Sequence, residues 1–413
     1  MARFHTLHEW LSWQETLHPS EIELGLERVA EVLRRMQLSQ PAFTVVTVAG
    51  TNGKGSSVAM LEAILRAAGY RVGAYTSPHL LRYNERIRVD GATVTDATLC
   101  AAFERIDAAR ADISLTYFEF GTLAAIDILQ RSGVDIAVLE VGLGGRLDAV
   151  NVLDADVALV TAIDVDHQAW LGTDRDIIAR EKAGILRSGR PAVCSDPAAP
   201  ASLLAVAASL GAPLSLLGRD FAAQRDGDRW RWQGGDTILW DLPLPALPGG
   251  FQLHNAAGVL AVLSALATDF PVPATAIQQG LQTVSLAGRF QVLPGLPQQV
   301  LDVAHNAQSA AALAENLAQQ PCTGRTRLVL AMLGDKDIEA VIDCLRPCVD
   351  DWYLAPLTVP RAAPVARLQQ ALANQPVAVF DSVAAAHAAA VAASSTTDRV
   401  VVAGSFYTVA AVL

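Results

Sequence analysis

Short apolar runs alternate with segments of helical periodicity along most of the chain. An apolar run bounded by turn residues predicts a buried strand, and apolar positions repeating with the helical period predict an amphipathic helix. The pattern predicts helices within the first forty residues, strands at 45–49, 71–75, 134–141 and 157–163, and helices at 58–67, 96–111 and 118–130. This alternation is typical of an α/β fold with a largely parallel sheet.

The pattern changes twice farther along the chain. Between 219 and 248, short alternating segments carry Trp230, Trp232 and Trp240 and predict a small antiparallel meander. Helices are predicted at 253–266 and 274–283, after which strands are predicted at 300–303, 328–332, 352–354, 377–380 and 400–403. A chain of 413 residues exceeds the usual size of one core, so we expect two domains, at 1–286 and 287–413. The second is predicted to be doubly wound.

Composition and charge narrow the class of protein. The chain is 52% hydrophobic and carries a net charge of -11, which favours solubility and argues against a general nucleic-acid or anionic-membrane surface. Five scattered cysteines without a Cys-x-x-Cys pair predict reduced thiols. The charged N-terminal residues lack the apolar core of a signal peptide, and the apolar segment 256–267 is too short to span a bilayer. We therefore expect a cytoplasmic protein that binds neither nucleic acid nor membrane.

A glycine-rich loop with one lysine follows the strand at 45–49. The loop reads Gly50-Thr51-Asn52-Gly53-Lys54-Gly55-Ser56. Convergent backbone N–H groups, a cation and a hydroxyl for magnesium suit nucleotide phosphates. The spacing departs from the strict G-x-x-x-x-G-K-[ST] pattern, because position 48 is Val and position 55 is Gly. The alternative is an ordinary glycine-rich turn; we predict a variant P-loop.

Three further residues stand where a parallel sheet gathers its ligands. Glu140 ends the strand at 134–141, His167 follows the strand at 157–163, and Ser77 lies in a Thr-Ser-Pro turn. Strand ends share one edge of the sheet, so we expect Ser56, Glu140 and His167 to face one crevice. Glu140 is a plausible ligand of Mg²⁺, which prefers carboxylates, phosphates and water. The alternatives are an ion-paired glutamate, a structural histidine and a turn-capping serine.

Five motifs in this order resemble a known family. They are Gly50 to Ser56, Thr76-Ser77-Pro78-His79-Leu80, Glu140-Val141-Gly142-Leu143-Gly144-Gly145-Arg146-Leu147-Asp148-Ala149, Asp164-Val165-Asp166-His167 and Glu181-Lys182-Ala183-Gly184-Ile185. They resemble the folylpolyglutamate synthases, specifically the bacterial bifunctional type that is also a dihydrofolate synthase, within the Mur-ligase-like ATP-dependent amide ligases. The resemblance implies an α/β fold with a P-loop Mur-ligase-like N-terminal domain and a smaller, doubly wound, Rossmann-like C-terminal domain.

The resemblance also implies a set of nucleotide and metal residues. It assigns Gly50 to Ser56 to ATP, and Ser77, Glu140 and His167 to magnesium, expected as two ions. It makes Lys182 a carbamylated lysine, against the alternative of a surface lysine paired with Glu181. It implies that Asn255, Arg289 and Asp302 contact ATP, where the alternatives are a helix N-cap, a solvated arginine and a helix-capping aspartate. Catalytic roles are implied for Lys54, Lys182 and His305.

The pterin substrate is implied to bind at three separate segments. These are Ile22, Glu23, Leu24 and Gly25; Thr116, Tyr117, Phe118 and Glu119; and Leu147, Asp148 and Ala149. Phe118 would offer a stacking face, although a phenylalanine at a helix start is more often core. Tyr407 stands where the family often has histidine, so no role is assigned to it.

The implied reaction joins L-glutamate to dihydropteroate and to reduced folates at the expense of ATP, through an acyl phosphate. A monofunctional folylpolyglutamate synthase and a Mur ligase of peptidoglycan synthesis are the alternatives. A regulatory P-loop GTPase is disfavoured because the sequence has no N-K-x-D motif. The number of glutamates added is left open, and a monomer is the default expectation.

Overall fold

The structure is a computed structural model that describes residues 3–320, 322–373 and 375–413. They form two compact units, each with its own sheet. The first unit contains the chain up to Ile163, then Asp174–Ala246 and His254–Val284. The second contains Asp164–Thr173, Leu247–Leu253 and Ser285–Leu413. The chain therefore passes between the units several times.

The first unit is built on a mostly parallel sheet of eight strands. These are β1 (Thr44–Ala49), β2 (Val72–Tyr75), β3 (Ile87–Val89), β4 (Ala92–Thr93), β5 (Ile136–Glu140), β6 (Val157–Val160), β7 (Ala192–Cys194) and β8 (Leu214–Leu216). Their order is β4-β3-β2-β5-β1-β6-β7-β8, and the antiparallel pairs are β2–β3 and β3–β4. Strand β1 lies between β5 and β6, in parallel register with both. The carboxyl ends of these three strands are therefore neighbours.

Two smaller patterns complete the strands. The predicted meander is confirmed as the antiparallel strands β9 (Phe221–Asp226), β10 (Arg229–Gly234) and β11 (Thr237–Pro243). The sheet of the second unit consists of β12 (Gln291–Leu293), β13 (Gln298–Leu301), β14 (Thr326–Leu330), β15 (Asp351–Leu354), β16 (Val377–Val379) and β17 (Arg399–Ala403). Its order is β12-β13-β17-β14-β15-β16, with β12 alone antiparallel. The α/β fold class is confirmed in both units.

Helices pack on these sheets or connect their strands. They are α1 (Leu7–Leu17), α2 (Glu27–Arg35), α3 (Lys54–Ala67), α4 (Asp96–Arg110), α5 (Tyr117–Ser132), α6 (Gln168–Leu171), α7 (Arg175–Ala183), α8 (Ala201–Leu210), α9 (Phe251–Leu266), α10 (Ala274–Thr283), α11 (Ala307–Gln319), α12 (Ile338–Leu345), α13 (Val365–Ala371), α14 (Val383–Ala392) and α15 (Phe406–Ala410). None of the helices in the described ranges is long and apolar enough to cross a membrane.

An aromatic cluster fixes the N-terminal helices to the first sheet. Trp10 of α1 is fully buried and packs against Phe103 of α4 and Phe120 of α5. Thr6 and Thr116 begin α1 and α5 with capping boxes, in which each side chain accepts from a backbone N–H of the first turn. The core therefore holds α5, and with it the segment Thr116 to Glu119, in a fixed position.

The helices predicted within the first forty residues are α1 and α2. Residues 22–26 precede α2, and the Gly25 N–H donates to the Leu147 carbonyl at 3.3 Å. The sequence pattern also does not predict strands β3, β4, β7, β8 and β12. Each has two or three residues, too few for an alternating pattern to be recognised.

Candidate active site

The glycine-rich loop lies between β1 and α3 and is braced by the neighbouring strand β6. Gly50 has φ +153°, and a Cβ there would lie 1.8 Å from Thr161 Oγ1. The Thr161 hydroxyl also donates to the Asn52 carbonyl at 2.8 Å. Helix α3 starts after Gly53, which has no side chain to cap it, so the first-turn N–H groups face the loop. This is the geometry of an anion site at a helix N-terminus.

Lys54 is held against its own loop. Its Nζ donates to the carbonyls of Gly50 at 3.0 Å and Thr51 at 3.2 Å. The ammonium therefore stays beside the N-terminus of α3, where a phosphate would be bound by both.

Asn255 packs on the same loop from α9. Its side chain is buried, and a Cβ at Gly53 would lie 2.4 Å from Asn255 Oδ1. The N-cap alternative is wrong, because α9 begins at Phe251 and Asn255 lies inside the helix. The loop and the asparagine thus approach as closely as a glycine allows.

Ser77 and Glu140 meet at the end of β5. The Glu140 side chain is buried, and its Oε2 accepts from the Ser77 N–H at 3.3 Å. Because β5 is the neighbour of β1, Glu140 shares the edge of the sheet with the P-loop. A carboxylate and a hydroxyl residue are thereby brought together beside the proposed phosphate site.

His167 belongs to the second unit, on the segment Asp164–Thr173. It precedes α6 with φ +51°, a left-handed conformation that is uncommon outside glycine. Its N–H donates to Asp166 Oδ1 at 2.7 Å. The backbone of His167 is therefore fixed by the side chain that precedes it.

Asp166 is the centre of a buried polar cluster in the second unit. Its carboxylate pairs with Lys336, accepts from Asn306 Nδ2 at 3.0 Å and lies 3.3 Å from His305 Nε2. Burial opposes its ionisation, yet the hydrogen bond and charge of His305 together with Lys336 hold the pKa of Asp166 far below the usual value. Asp166 is thus an anion at any physiological pH.

Sequence reasoning missed Lys336 and the role of Asp166. One signal was available: the chain has only three lysines, Lys54, Lys182 and Lys336, among 31 basic residues. The family resemblance assigns the first two of them to the site. All the other basic residues are arginine. A lysine at these three positions therefore indicates that each needs the compact charge of an ammonium group.

Lys182 lies in α7 and is buried, with 3% of its surface exposed. Glu181, its neighbour, pairs instead with Arg146 at 2.9 Å. The alternative of a surface lysine paired with Glu181 is therefore wrong. Backbone packing is tight here, since a Cβ at Gly145 would lie 2.7 Å from the Glu181 carbonyl.

The three segments predicted to hold the pterin come together in the first unit. The Gly25 N–H donates to Leu147 O, and Arg28 pairs with both Glu23 and Glu119. Phe118 is half-buried, so part of its ring faces outward from the core. These contacts place the first residues of α5 beside both loops.

Gly142 lies between Phe118 and Asp148. A Cβ there would be 2.7 Å from the Phe118 ring and 3.3 Å from Asp148 Oδ2. The Asp148 carboxylate accepts from the N–H groups of Gly142, Leu143 and Val150 at 2.9–3.0 Å. Burial raises the pKa of Asp148 to about 6, although these hydrogen bonds oppose the shift. An aromatic face and an acceptor are thus presented side by side.

Arg289, Asp302 and His305 lie in the second unit. Arg289 stacks on the Phe406 ring at 5.1 Å. Asp302 accepts from the N–H groups of Phe290 and Ala304, both at 2.8 Å, and burial raises its pKa while Arg289 opposes the shift. The helix-cap alternative for Asp302 is wrong, because Asn306 caps α11.

Two family models match separate parts of the chain. The Mur ligase middle domain model matches residues 48–197, and the Mur ligase, glutamate ligase domain model matches 288–406. The dihydrofolate synthase/folylpolyglutamate synthase of Escherichia coli K12 is 46% identical over 98% of this chain and 94% of its own length.

The chain belongs to the dihydrofolate synthase/folylpolyglutamate synthase family.

Solved structures of the dihydrofolate synthase/folylpolyglutamate synthase family superpose closely. E. coli FolC in complex with DHPP and ADP has a TM-score of 0.94 and 46% identity, covering 98% of this chain and 96% of that one. A bifunctional folylpolyglutamate synthase/dihydrofolate synthase with Mn, AMPPNP and L-glutamate bound has a TM-score of 0.92 and 48% identity, covering 98% and 97%. The fold of a Mur-ligase-like ATP-dependent ligase is thereby established.

The donor set of this family member fits a magnesium-type ion. Within the described residues no group of three His, Cys, Asp or Glu side chains is placed to hold a metal. Ser77 and Glu140 supply oxygen donors beside the phosphate loop. Mg²⁺ is commonly bound by one or two carboxylates together with phosphates and water, so a sparse oxygen set next to a nucleotide site suits it.

Proposed function

We propose that this chain ligates L-glutamate to dihydropteroate, giving dihydrofolate, and to reduced folylpolyglutamates, with ATP converted to ADP and phosphate. One observation carries the proposal. Strand β5 ends in Glu140, and the chain continues into Gly142, which lies against both Phe118 and Asp148. Glu140, the proposed metal ligand, and Gly142, beside the proposed pterin residues, therefore both lie at the end of β5. This strand end is next to the P-loop that follows β1.

The chemistry brings an anionic carboxylate to an anionic triphosphate. Lys54 and the N–H groups of α3 would offset the phosphate charge. Ser77, Glu140 and His167 are the proposed ligands of Mg²⁺, which would supply positive charge at the phosphates when bound. Attack of the carboxylate oxygen on the γ-phosphorus forms an acyl phosphate and releases ADP; the glutamate nitrogen then displaces phosphate and loses a proton.

The remaining site residues stay as proposals from the family resemblance. Asn255, Arg289 and Asp302 are proposed nucleotide contacts, and His305 and carbamylated Lys182 are proposed catalytic groups. The domain division at 286 is retained. So are the expectations of a cytoplasmic monomer whose partners are ATP, L-glutamate, dihydropteroate and reduced folates.

The test is ATP-dependent incorporation of labelled glutamate into dihydropteroate and, separately, into tetrahydrofolate. Both acceptors should be labelled. Lys54→Ala and Glu140→Ala should abolish both activities with the fold unchanged by circular dichroism. Labelling of tetrahydrofolate alone would leave a monofunctional folylpolyglutamate synthase, and absence of labelling with both acceptors would overturn the proposal.

A further inference from the structure

Arg86 is a buried arginine without a buried acid to match it. Its exposed fraction is 8%, and no carboxylate in the described ranges 3–320, 322–373 and 375–413 lies within ion-pair distance of it. Its Nε donates to His79 Nδ1 at 2.9 Å. This hydrogen bond to a histidine ring nitrogen uses one edge of the guanidinium. A buried charge is costly unless it is paired, so this guanidinium calls for an anion.

The acidic groups close in sequence are already engaged elsewhere. The Glu85 carboxylate accepts from the backbone N–H groups of Leu80, Leu81 and Arg82. Glu62 pairs with Arg88 at 2.8 Å. The positive charge of Arg86 is therefore left for a partner that the protein does not itself provide.

Tyrosine rings lie against Arg86. The guanidinium carbon lies 5.2 Å from the Tyr83 ring centroid and 5.6 Å from that of Tyr117. Tyr83 is 4% exposed, and its hydroxyl has no hydrogen-bond partner among the described residues. A guanidinium and an unused phenol side by side favour a ligand with several acceptor atoms, and a carboxylate matches the arginine fork in two places.

Arg86, Tyr83 and Tyr117 lie close to the residues proposed to hold the pterin. Tyr117 is the neighbour of Phe118, and the Tyr75 ring, next to Arg86, lies 6.1 Å from the Phe118 ring. The Arg86 carbonyl accepts from the Thr76 N–H at 2.8 Å, immediately before Ser77. The Tyr83 hydroxyl packs against Gly121 of α5, where a Cβ would lie 2.6 Å from it. Arg86 thus lies between the Phe118 ring and the turn that contains Ser77, a proposed metal ligand.

We propose that Arg86 and Tyr83 form an anion subsite that binds the carboxylate of the pteroate-class substrate and orients it toward the P-loop. This rests on the proposed function for the identity of the ligand. Arg86 and Tyr83 would then recognise the single carboxylate of the substrate, separately from the residues that hold its neutral pterin ring. The subsite selects acids over uncharged analogues of the same shape.

The experiment compares dihydropteroate with its methyl ester, which lacks the negative charge and carries one additional methyl group. Binding of each to the full chain is measured by calorimetry without ATP. Hydrogen bonds to charged groups predict that the wild type binds the acid about 10- to 100-fold more tightly than the ester. Arg86→Gln should reduce this ratio to near one, and Tyr83→Phe should reduce it partly.

Arg82→Gln is the matched control. Arg82 lies in the same loop, its side chain is 69% exposed, and it pairs with Asp96 at 3.0 Å. The ratio should be unchanged in this variant. A wild-type ratio near one, or a full ratio retained in Arg86→Gln, would overturn the subsite.

Two further outcomes keep the proposals separate. If Arg86→Gln does not fold, Arg86→Lys and Tyr83→Phe decide, since each should leave an intermediate ratio if the subsite is correct and the wild-type ratio if it is not. Failure of glutamate incorporation by a wild type that still prefers the acid would defeat the proposed function and leave the subsite standing.

Discussion

Asn255 and Gly53 touch so closely that a single methyl group at residue 53 would lie 2.4 Å from the asparagine Oδ1. Gly53 also has φ +91°. Replacement by alanine therefore adds both backbone strain, about 1–2 kcal/mol, and a collision with the buried amide. We expect Gly53→Ala to weaken ATP binding at least about tenfold, because the loop must move to relieve the contact.

Gly69→Ala separates strain from collision. Gly69 has φ +93°, and nothing lies within 4 Å of the position that a Cβ would take there. Gly53→Ala should lose more stability than Gly69→Ala in urea denaturation, because only residue 53 adds the collision to the strain, and calorimetry with ATP should show normal affinity for Gly69→Ala alone. Equal ATP affinity in both variants would show that the Asn255 contact does not shape the loop.

Lys182 should carry a carbamate. Its amine nitrogen would attack the carbon of carbon dioxide and release a proton, giving an anion in a buried position that a bound cation would stabilise. With ¹³C-labelled bicarbonate and Mg²⁺, carbon NMR should show one carbamate resonance. It should vanish in Lys182→Arg and persist in Lys336→Arg; a resonance retained in Lys182→Arg would place the modification elsewhere.

The Lys336–Asp166 pair should contribute strongly to stability. Lys336→Met removes the lysine partner of the buried Asp166 carboxylate, so we expect a loss of about 3–5 kcal/mol in the free energy of unfolding. Arg219→Met is the control, because the Arg219–Asp220 pair is exposed and should contribute less than about 1 kcal/mol. Equal costs in urea denaturation would contradict the importance of the buried pair.

Asp148 should make stability depend on pH between its unfolded and folded pKa values. Its pKa is 3.8 in the unfolded reference and about 6 in the folded chain, so the folded state binds the extra proton in this window. Its contribution to the free energy of unfolding therefore falls by about 3 kcal/mol as pH rises through the window. Asp148→Asn removes this slope.

The measurement is urea denaturation of both proteins at several pH values across that window. Any fixed cost of the amide cancels in the pH-dependent difference. Asp343→Asn serves as control, since the Asp343 side chain is 71% exposed. A wild-type slope that survives in Asp148→Asn would assign it to another group.

The sequence predicts features that depend on neighbouring residues, but it does not predict contacts between residues that are far apart in the chain. The P-loop, Glu140 and the strands beside them follow from short-range patterns, and the fold confirms those strands. Asp166 and Lys336 are 170 positions apart, and only the folded second unit brings them together. The burial of Lys182 and the position of Asn255 inside α9 likewise depend on how the helices pack. The residues next to each of them in the sequence do not show this packing.

The scarcity and burial of lysine also govern how this chain is digested. A lysine-specific endoprotease has three peptide bonds to attack, and two of them follow side chains that are at least nine-tenths buried. The third follows Lys54 at the start of α3, where the backbone is helical. Because cleavage needs an extended, accessible segment, the native chain should resist this protease, and the rate of its digestion should report the opened population of each unit separately.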